Sequence, residues 1–442
     1  MRLRNLQGII FTVFLLFSSV HLSGQELWTL EKCIEHATKE NLNVKQSRLQ
    51  KYLARRNFSI SKSKFFPIVN ASVNTGYNWG RNFDSNTFLF TNDRTSSSGV
   101  TISSSIDIFN GFSKLNTLRK SKESYDLSGY AYKKAINDIS LQIASAYIKI
   151  LFDMEQLENA QKQIKVTILQ YERIEKLVKA GNLPKGDLYN LEAQKASEEL
   201  AIINAQNTLD NDYLSLIQLL DISSDQDFKI AKPIIESVSS EKYPFNVDMI
   251  FNEAKDSLPE IRIAESNLQI ARLNSKIAVG NYFPSLSGSG AIRSSSSSEF
   301  SESINQQIDD NRRDYLGLTL SIPIFNNLQT SEVAAAAQFD VKSKEIDLEM
   351  AYNGLYKTIQ KAYQEMLSAQ KKYEATKNQK KALDEAFKYS QQKYDVGMVN
   401  SYDFADSKNK LRKAESDLLS AKYDFIFKTK VLDFYRGKPL TL

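Results

Sequence analysis

The chain repeats itself at a spacing of about 216 residues, and no other property restricts its fold as strongly. Val44–Arg55, followed by Phe65-Phe66-Pro67, returns as Ile261–Arg272 followed by Tyr282-Phe283-Pro284. Ile106-Asp107-Ile108-Phe109-Asn110 returns as Ile322-Pro323-Ile324-Phe325-Asn326, and Lys179-Ala180-Gly181 with Asp187 returns as Asp395-Val396-Gly397 with Asp403. Three landmarks in one order at a nearly constant offset describe a duplicated structural unit. Both halves must then perform one geometric job.

Residues 1–24 stand outside the repeat. Arg2 and Arg4 precede the apolar run Ile9–Phe17 and the small residues Ser18, Ser19, Ser23 and Gly24. That is the order of a secretory signal peptide with cleavage near Gly24-Gln25; an uncleaved signal anchor is the other reading. The run is too short to span a bilayer, and no later stretch reaches 18 apolar residues, so no transmembrane helix is expected. Cys33 is the one cysteine, which excludes an intramolecular disulfide. The chain has 57 basic and 52 acidic side chains; losing Arg2 and Arg4 with the leader lowers the net charge from +5 to about +3. So near-neutral a balance gives no push toward nucleic acid.

Between Pro67 and Pro184 there is no proline. From about Phe112 to Ala180 the chain is rich in good helix formers. Ile136, Ile143, Ile150, Leu157, Ile164, Tyr171 and Val178 recur every seventh residue. An ordinary amphipathic helix drifts by about 20° per heptad and loses such a register, so the comb marks a coiled-coil seam. The second half repeats it with Tyr352, Ile359, Met366, Tyr373, Phe387 and Tyr394, interrupted at Lys380. Shorter helices are expected over Leu27–Phe65, Leu183–Leu220, Asn246–Tyr282 and Asn400–Tyr435. Gly181 and Gly397 stand where a helix C-cap is required.

Period-two segments lie between the first short helix and the long helix of each half. Val69, Ala71, Val73, Thr75, Tyr77 and Trp79 alternate with small polar residues, as do Val100, Ile102, Ser104, Ile106 and Ile108. Leu286, Gly288, Gly290, Ile292 and Leu316, Leu318, Leu320, Ile322 repeat the pattern. Such alternation is the signature of membrane β-barrel strands, with half-buried hairpins of a soluble domain as the alternative. Tyr77, Trp79, Tyr282, Phe283 and Tyr315 stand where an aromatic girdle belongs. Gly80–Thr95 and Arg293–Arg313 read as mobile extracellular loops. Four strands cannot close a barrel, and an open edge in lipid leaves backbone groups unpaired. The expected fold is therefore mainly α with a membrane β-hairpin pair. A duplicated long-helix coiled-coil unit assembles as a homotrimer, a trimeric α-barrel with a shared 12-stranded β-barrel.

On this order of elements, and on Phe65-Phe66-Pro67, Tyr282-Phe283-Pro284, Ala180-Gly181 with Asp187-Leu188, and Tyr394-Asp395-Val396-Gly397 with Asp403-Phe404, the chain resembles the TolC-like outer-membrane efflux protein family. The resemblance covers about Glu26–Gly437. It implies a channel-tunnel: a barrel in the outer membrane continued by a helical cylinder through the periplasm. It also implies a passive exit duct for small molecules or proteins, in an efflux or type I secretion system. The partners implied are outer-membrane lipid, a periplasmic adaptor protein and an inner-membrane pump. Two other functions compete, a periplasmic adaptor and a trimeric coiled-coil adhesin. The first would need a lipoyl-like domain around one hairpin, and the second would lack the full-length duplication.

No catalytic, cofactor or metal site is expected. Cys33 and His36 are two ligands without a third, and Gly288-Ser289-Gly290 sits in a strand rather than a phosphate loop. Asp403 and Asp406, three apart on one helix face, would form two stacked carboxylate rings in a trimer and favour cations. Acids at a helix start are otherwise there for the helix dipole. Asp187, whose companion is Asn190, is expected to do only that. The resemblance makes Asp403, Asp406 and Tyr394 the periplasmic entrance. The turns Gly181-Asn182-Leu183-Pro184 and Gly397-Met398-Val399-Asn400 would be tips that touch adaptor or pump. The domain reading is a signal peptide 1–24, a first repeat 25–228, a linker 229–245, a second repeat 246–437 and a tail 438–442.

Overall fold

A computed structural model of the chain describes residues 27–84, 87–223, 228–233 and 243–442. The expected signal peptide 1–24 and residues 234–242 of the expected linker lie outside the described residues. The element order is α1 (Leu30–Glu40), α2 (Leu42–Ser63), β1 (Ile68–Asp84), β2 (Leu89–Asn110), α3 (Ser113–Lys179), α4 (Lys185–Leu220), α5 (Val247–Ser257), α6 (Pro259–Gly280), β3 (Ser285–Ser297), α7 (Ile304–Asp310), β4 (Arg313–Ser321), α8 (Gln329–Asp395) and α9 (Ser401–Tyr435). Apart from α7, the second half repeats the first. The long helices α3 and α8 have 67 residues each, about 100 Å at 1.5 Å per residue.

The chain forms two compact units. One holds the described residues of 46–135 and 255–357, including the sheet; the other holds the described residues of 27–45, 136–254 and 358–442, including the α3–α4 and α8–α9 turns.

The expected helices over Leu27–Phe65 and Asn246–Tyr282 are each broken once. Asn41 separates α1 from α2. Its Oδ1 accepts from the Asn43 and Val44 amides at 3.0 and 3.3 Å, and its Nδ2 donates to the Leu219 carbonyl at 3.0 Å. A residue that satisfies the first amides of a new helix ends the old one. In the second half Pro259 occupies the first turn of α6 behind Leu258, where its missing N–H leaves no bond unmade.

In the α3–α4 hairpin Ile143 and Ile150 of the comb are fully buried. A second comb lies three residues on: Asp153, Ala160, Thr167 and Ile174. Three of its four members are buried. Together the combs form the a and d positions of heptads. On α4, Leu191, Glu198 and Asp212 hold the facing buried positions. Two of these layers are therefore polar. In one, Lys149 donates to Asp212 at 2.7 Å beside Asp153. Burial first, then the Asp212 carboxylate, pushes Asp153 up to about 7. In the α8 comb Ile359 and Met366 are fully buried.

The sheet is antiparallel in the order β1-β2-β3-β4, so one edge of β1 and one of β4 are unpaired within the chain. Directly paired residues share a face. The pairs Val69↔Ser104, Ala71↔Ile102, Val73↔Val100, Ile102↔Ile292, Ile106↔Gly288, Gly288↔Leu318 and Leu286↔Leu320 gather the apolar residues of all four strands on one side. Asn70↔Ser103, Ser72↔Thr101, Ser103↔Ala291, Ser105↔Ser289 and Ser287↔Thr319 make the other side small and polar.

Three expectations change here. The register shifts between Asp107 and Phe109, which puts Phe109 opposite Leu286 and makes Ile108 the extra residue of a bulge. Tyr315 pairs with Ala291 on the polar face, its ring over Gly317, and so does not belong to a lipid-side girdle. Tyr77 and Trp79 do share the apolar face, 6.1 Å apart. Finally, Gly80–Thr95 is mostly strand rather than loop, because β1 and β2 stay paired as far as Asp84↔Leu89; Phe83, Phe88 and Phe90 cluster at its end. The β3–β4 connection is likewise structured. Ser303 caps α7, and the buried Gln307 accepts from the Ser297 amide at 2.8 Å and donates to the Glu302 carbonyl at 2.8 Å.

Candidate functional site: the hairpin turns and the buried lysine beside them

Both long helices end alike. Asn182 N–H reaches back to the Leu177 carbonyl at 2.9 Å, and Met398 N–H to the Lys393 carbonyl at 2.8 Å. The residues before them, Gly181 and Gly397, take φ of +78° and +76°. This six-to-one closure needs a left-handed residue, which glycine supplies without strain. The restarts differ. Pro184 precedes α4 without a side-chain cap, whereas Asn400 Oδ1 accepts from the Asp403 amide at 2.8 Å. Asn182, Leu183, Met398 and Val399 complete the two turns, and Met398 is largely exposed.

Asp403 and Asp406 are both exposed on the first turns of α9. Asp406 is not a bare carboxylate, since Lys410, one turn on, donates to it at 2.6 Å. The carboxylate holds the Lys410 ammonium above its ordinary pKa. Tyr394 stacks on Phe404, centroids 4.4 Å apart and rings 13° from parallel. Burial raises its phenol, and Asp187 nearby adds to the rise. Asp187 does more than expected: it accepts a hydrogen bond from Ser401 Oγ at 2.5 Å and so ties the start of α4 to the start of α9. Arg173 and Asp395 add an exposed ion pair between the two hairpins, worth about 0–1 kcal/mol.

The most buried charge among the described residues of this unit is not one of the expected site residues. Lys408 is 4% exposed and donates from Nζ to Thr167 Oγ1 and, at 3.2 Å, to Glu198 Oε1. Thr167 Oγ1 donates to Glu198 Oε2 at 2.6 Å, and Gln194 Nε2 to Glu198 Oε1 at 3.0 Å. Three helices, α3, α4 and α9, thus meet at one ion pair. Burial lowers the Lys408 pKa, and the Glu198 charge opposes that drop. One signal was available: Phe404, Lys408, Leu411 and Ala414 occupy the buried stripe of α9 at helical spacing.

Cys33 is fully buried, which pushes its thiol up to about 12, and His36 lies edge-on to Trp28 at 5.2 Å. Among the described residues no three His, Cys, Asp or Glu side chains group to hold a metal ion. No described helix is long and apolar enough to cross a membrane, which says nothing of the sheet.

A duplicated pair of coiled-coil hairpins, with a sheet that has one apolar and one polar face, is the set of elements found in outer-membrane channels that carry a helical tunnel. The family model for outer membrane efflux proteins matches residues 33–221 and 250–429, and the chain belongs to that family. It is an outer-membrane exit duct, and its family is one of channels rather than enzymes. The outer membrane protein TolC of Vibrio cholerae is 23% identical over 83% of this chain and 81% of its own length. TolC of Escherichia coli is 21% identical over 71% of this chain, and the match takes in 64% of that protein. The alkaline protease secretion protein AprF of Pseudomonas aeruginosa is 22% identical over 91% of this chain and 83% of its own. Among solved structures, CusC superposes with a TM-score of 0.81 at 18% identity, covering 96% of both chains. The open state of the Neisseria gonorrhoeae MtrE channel superposes with a TM-score of 0.78 at 19% identity, covering 92% of this chain and 88% of that one.

Proposed function

We propose that three copies of this chain close one 12-stranded barrel and form the outer-membrane duct of a tripartite efflux or type I secretion system. The sheet supports this most directly. Its register sorts four strands into an apolar and a polar face and leaves β1 and β4 each with an unpaired edge. In lipid those edges must find partners. The helices that lead into β1 and out of β4 carry exposed apolar residues at helical spacing: Leu49, Leu53 and Ile60 on α2, Phe339, Ile346 and Met350 on α8. They support a neighbour on each side. Light scattering of the detergent-solubilised protein should give a trimer; a monomer with a stable β signal would end the shared-barrel reading.

In the mature chain, after removal of residues 1–24, each repeat (25–228 and 246–437) gives two barrel strands and two hairpin helices, with 229–245 as linker and 438–442 as tail. The turns Gly181–Pro184 and Gly397–Asn400, with exposed Val396, Met398 and Tyr402, would meet a periplasmic adaptor and an inner-membrane pump. The likeness to a protease secretion protein supports type I secretion. Asp403 and Asp406 would ring the entrance, with Tyr394 held against Phe404 to keep it shut. Replacing both aspartates with Ala should weaken block by divalent or trivalent cations added from the periplasmic side of a planar bilayer and lower cation selectivity. Asp403 should contribute more than Asp406, which Lys410 already neutralises in part. Unchanged block would reduce both to helix-start residues. Asp187 is no control, because it bonds Ser401.

A further inference from the structure

Basic residues in the sheet region are arginines only: no lysine occurs between Lys64 and Lys114 or between Lys276 and Lys342. Arg81 and Arg94 lie over the rings of Phe90 and Tyr77 on the apolar face. Arg312 holds both carboxylate oxygens of Asp314 at 3.1 Å. Arg293 and Arg313 remain. They face each other as the last pair of the β3–β4 ladder, at the foot of the connection that contains α7. The alternation that puts Ile292 with Ile102 on the apolar face puts Arg293, Thr101 and Arg313 on the polar one. Directly opposed residues have Cβ atoms about 5 Å apart, where like charges destabilise a sheet. The strand neighbours on that face are Thr101, Ala291, Ser295 and Tyr315, none of them a carboxylate; the acids next along the chain, Asp309 and Asp310, belong to α7. Asp314, adjacent to Arg313, projects to the other face and is already engaged by Arg312. Both arginines are exposed.

We propose that Arg293 and Arg313 form an oxyanion-binding station on the polar face of the sheet, for the phosphate or carboxylate groups of material passing through the barrel. This rests on the duct reading above, which makes the polar face the lumen. Two guanidinium forks side by side match a phosphate or carboxylate bidentately. A bound dianion would turn the cross-strand repulsion into a bridge. Three copies bring six such cations to one level of the barrel.

The test uses the full-length protein and inorganic pyrophosphate in zwitterionic bilayers. Pyrophosphate added from the loop side should block single-channel current in the wild type, and Arg293→Gln with Arg313→Gln should need about tenfold more. Pyrophosphate should also raise the melting temperature of the detergent-solubilised wild type and leave the double variant unmoved. Without the anion the variant should melt no lower than the wild type, because it has lost a repulsion; a purely structural pair would melt lower. Equal block and equal melting shifts in both proteins would overturn the station. A wild type that forms no channels at all would overturn the duct reading instead.

Discussion

Lys408→Met should destabilise the folded protein by about 3–5 kcal/mol, the usual loss when one partner of a buried ion pair is removed. Lys408 and Glu198 are each more than nine-tenths buried, and the substitution strands the Glu198 carboxylate among three helices. The measurement is unfolding of the detergent-solubilised protein, followed by far-UV circular dichroism. Adding Glu198→Leu should recover most of the loss, because apolar residues of similar volume commonly replace a buried pair without penalty. A single variant that melts with the wild type would mean that water reaches the site and the charge is not stranded. A double variant as poor as the single would assign the loss to packing.

Gly111→Ala should block accumulation of folded protein. A β-carbon on Gly111 would lie 2.0 Å from the carbonyl oxygen of Gly280, and one on Gly280 would lie 2.3 Å from Ser113 Oγ and 2.7 Å from the Gly111 carbonyl oxygen. The end of β2 and the end of α6 cross here backbone to backbone. Two of these three obstacles are backbone carbonyl oxygens, so the elements themselves must separate. Gly111 also takes φ of +61°, which adds about 1–2 kcal/mol for any residue with a β-carbon. Overpacking adds about 1–3 kcal/mol or more. Gly354→Ala is the control. It lies inside α8 with nothing within 4 Å of the added carbon, and Ala there should stabilise by about 0.5–1 kcal/mol. Normal outer-membrane yield of Gly111→Ala would show that the two elements can separate here without loss of the fold.

Elements set by repetition could be read from the residues alone: the seven-residue comb of α3, the alternation of β1 and β2, the glycine turns. Each is a local period, and a period survives without knowledge of the partner. What escaped reading depends on one residue meeting a distant one. Asn41 breaks a helix because its side chain caps the next one while it is held by the carbonyl of Leu219. The bulge at Ile108 exists because β3 fixes the register of β2. Thr167 and Asp153 sit in the seam as polar residues, invisible to a search for apolar teeth, because Glu198 and Asp212 face them from α4. At the candidate entrance the positions of Asp403, Asp406 and Tyr394 follow from the turn. Their actual partners, Asn400, Lys410 and Phe404, and the tie from Asp187 to Ser401, come from packing.

The unpaired edges of β1 and β4 have a genetic consequence. On the proposed trimer every seam of the barrel takes one edge from each of two copies, so a copy that folds but cannot pair spoils the ring it enters. A cell making equal amounts of intact and edge-damaged chains would build only about one fully intact ring in eight, by random choice of three. Edge lesions should therefore behave as dominant, whereas a lesion that prevents folding altogether removes its chain from the pool and should behave as recessive.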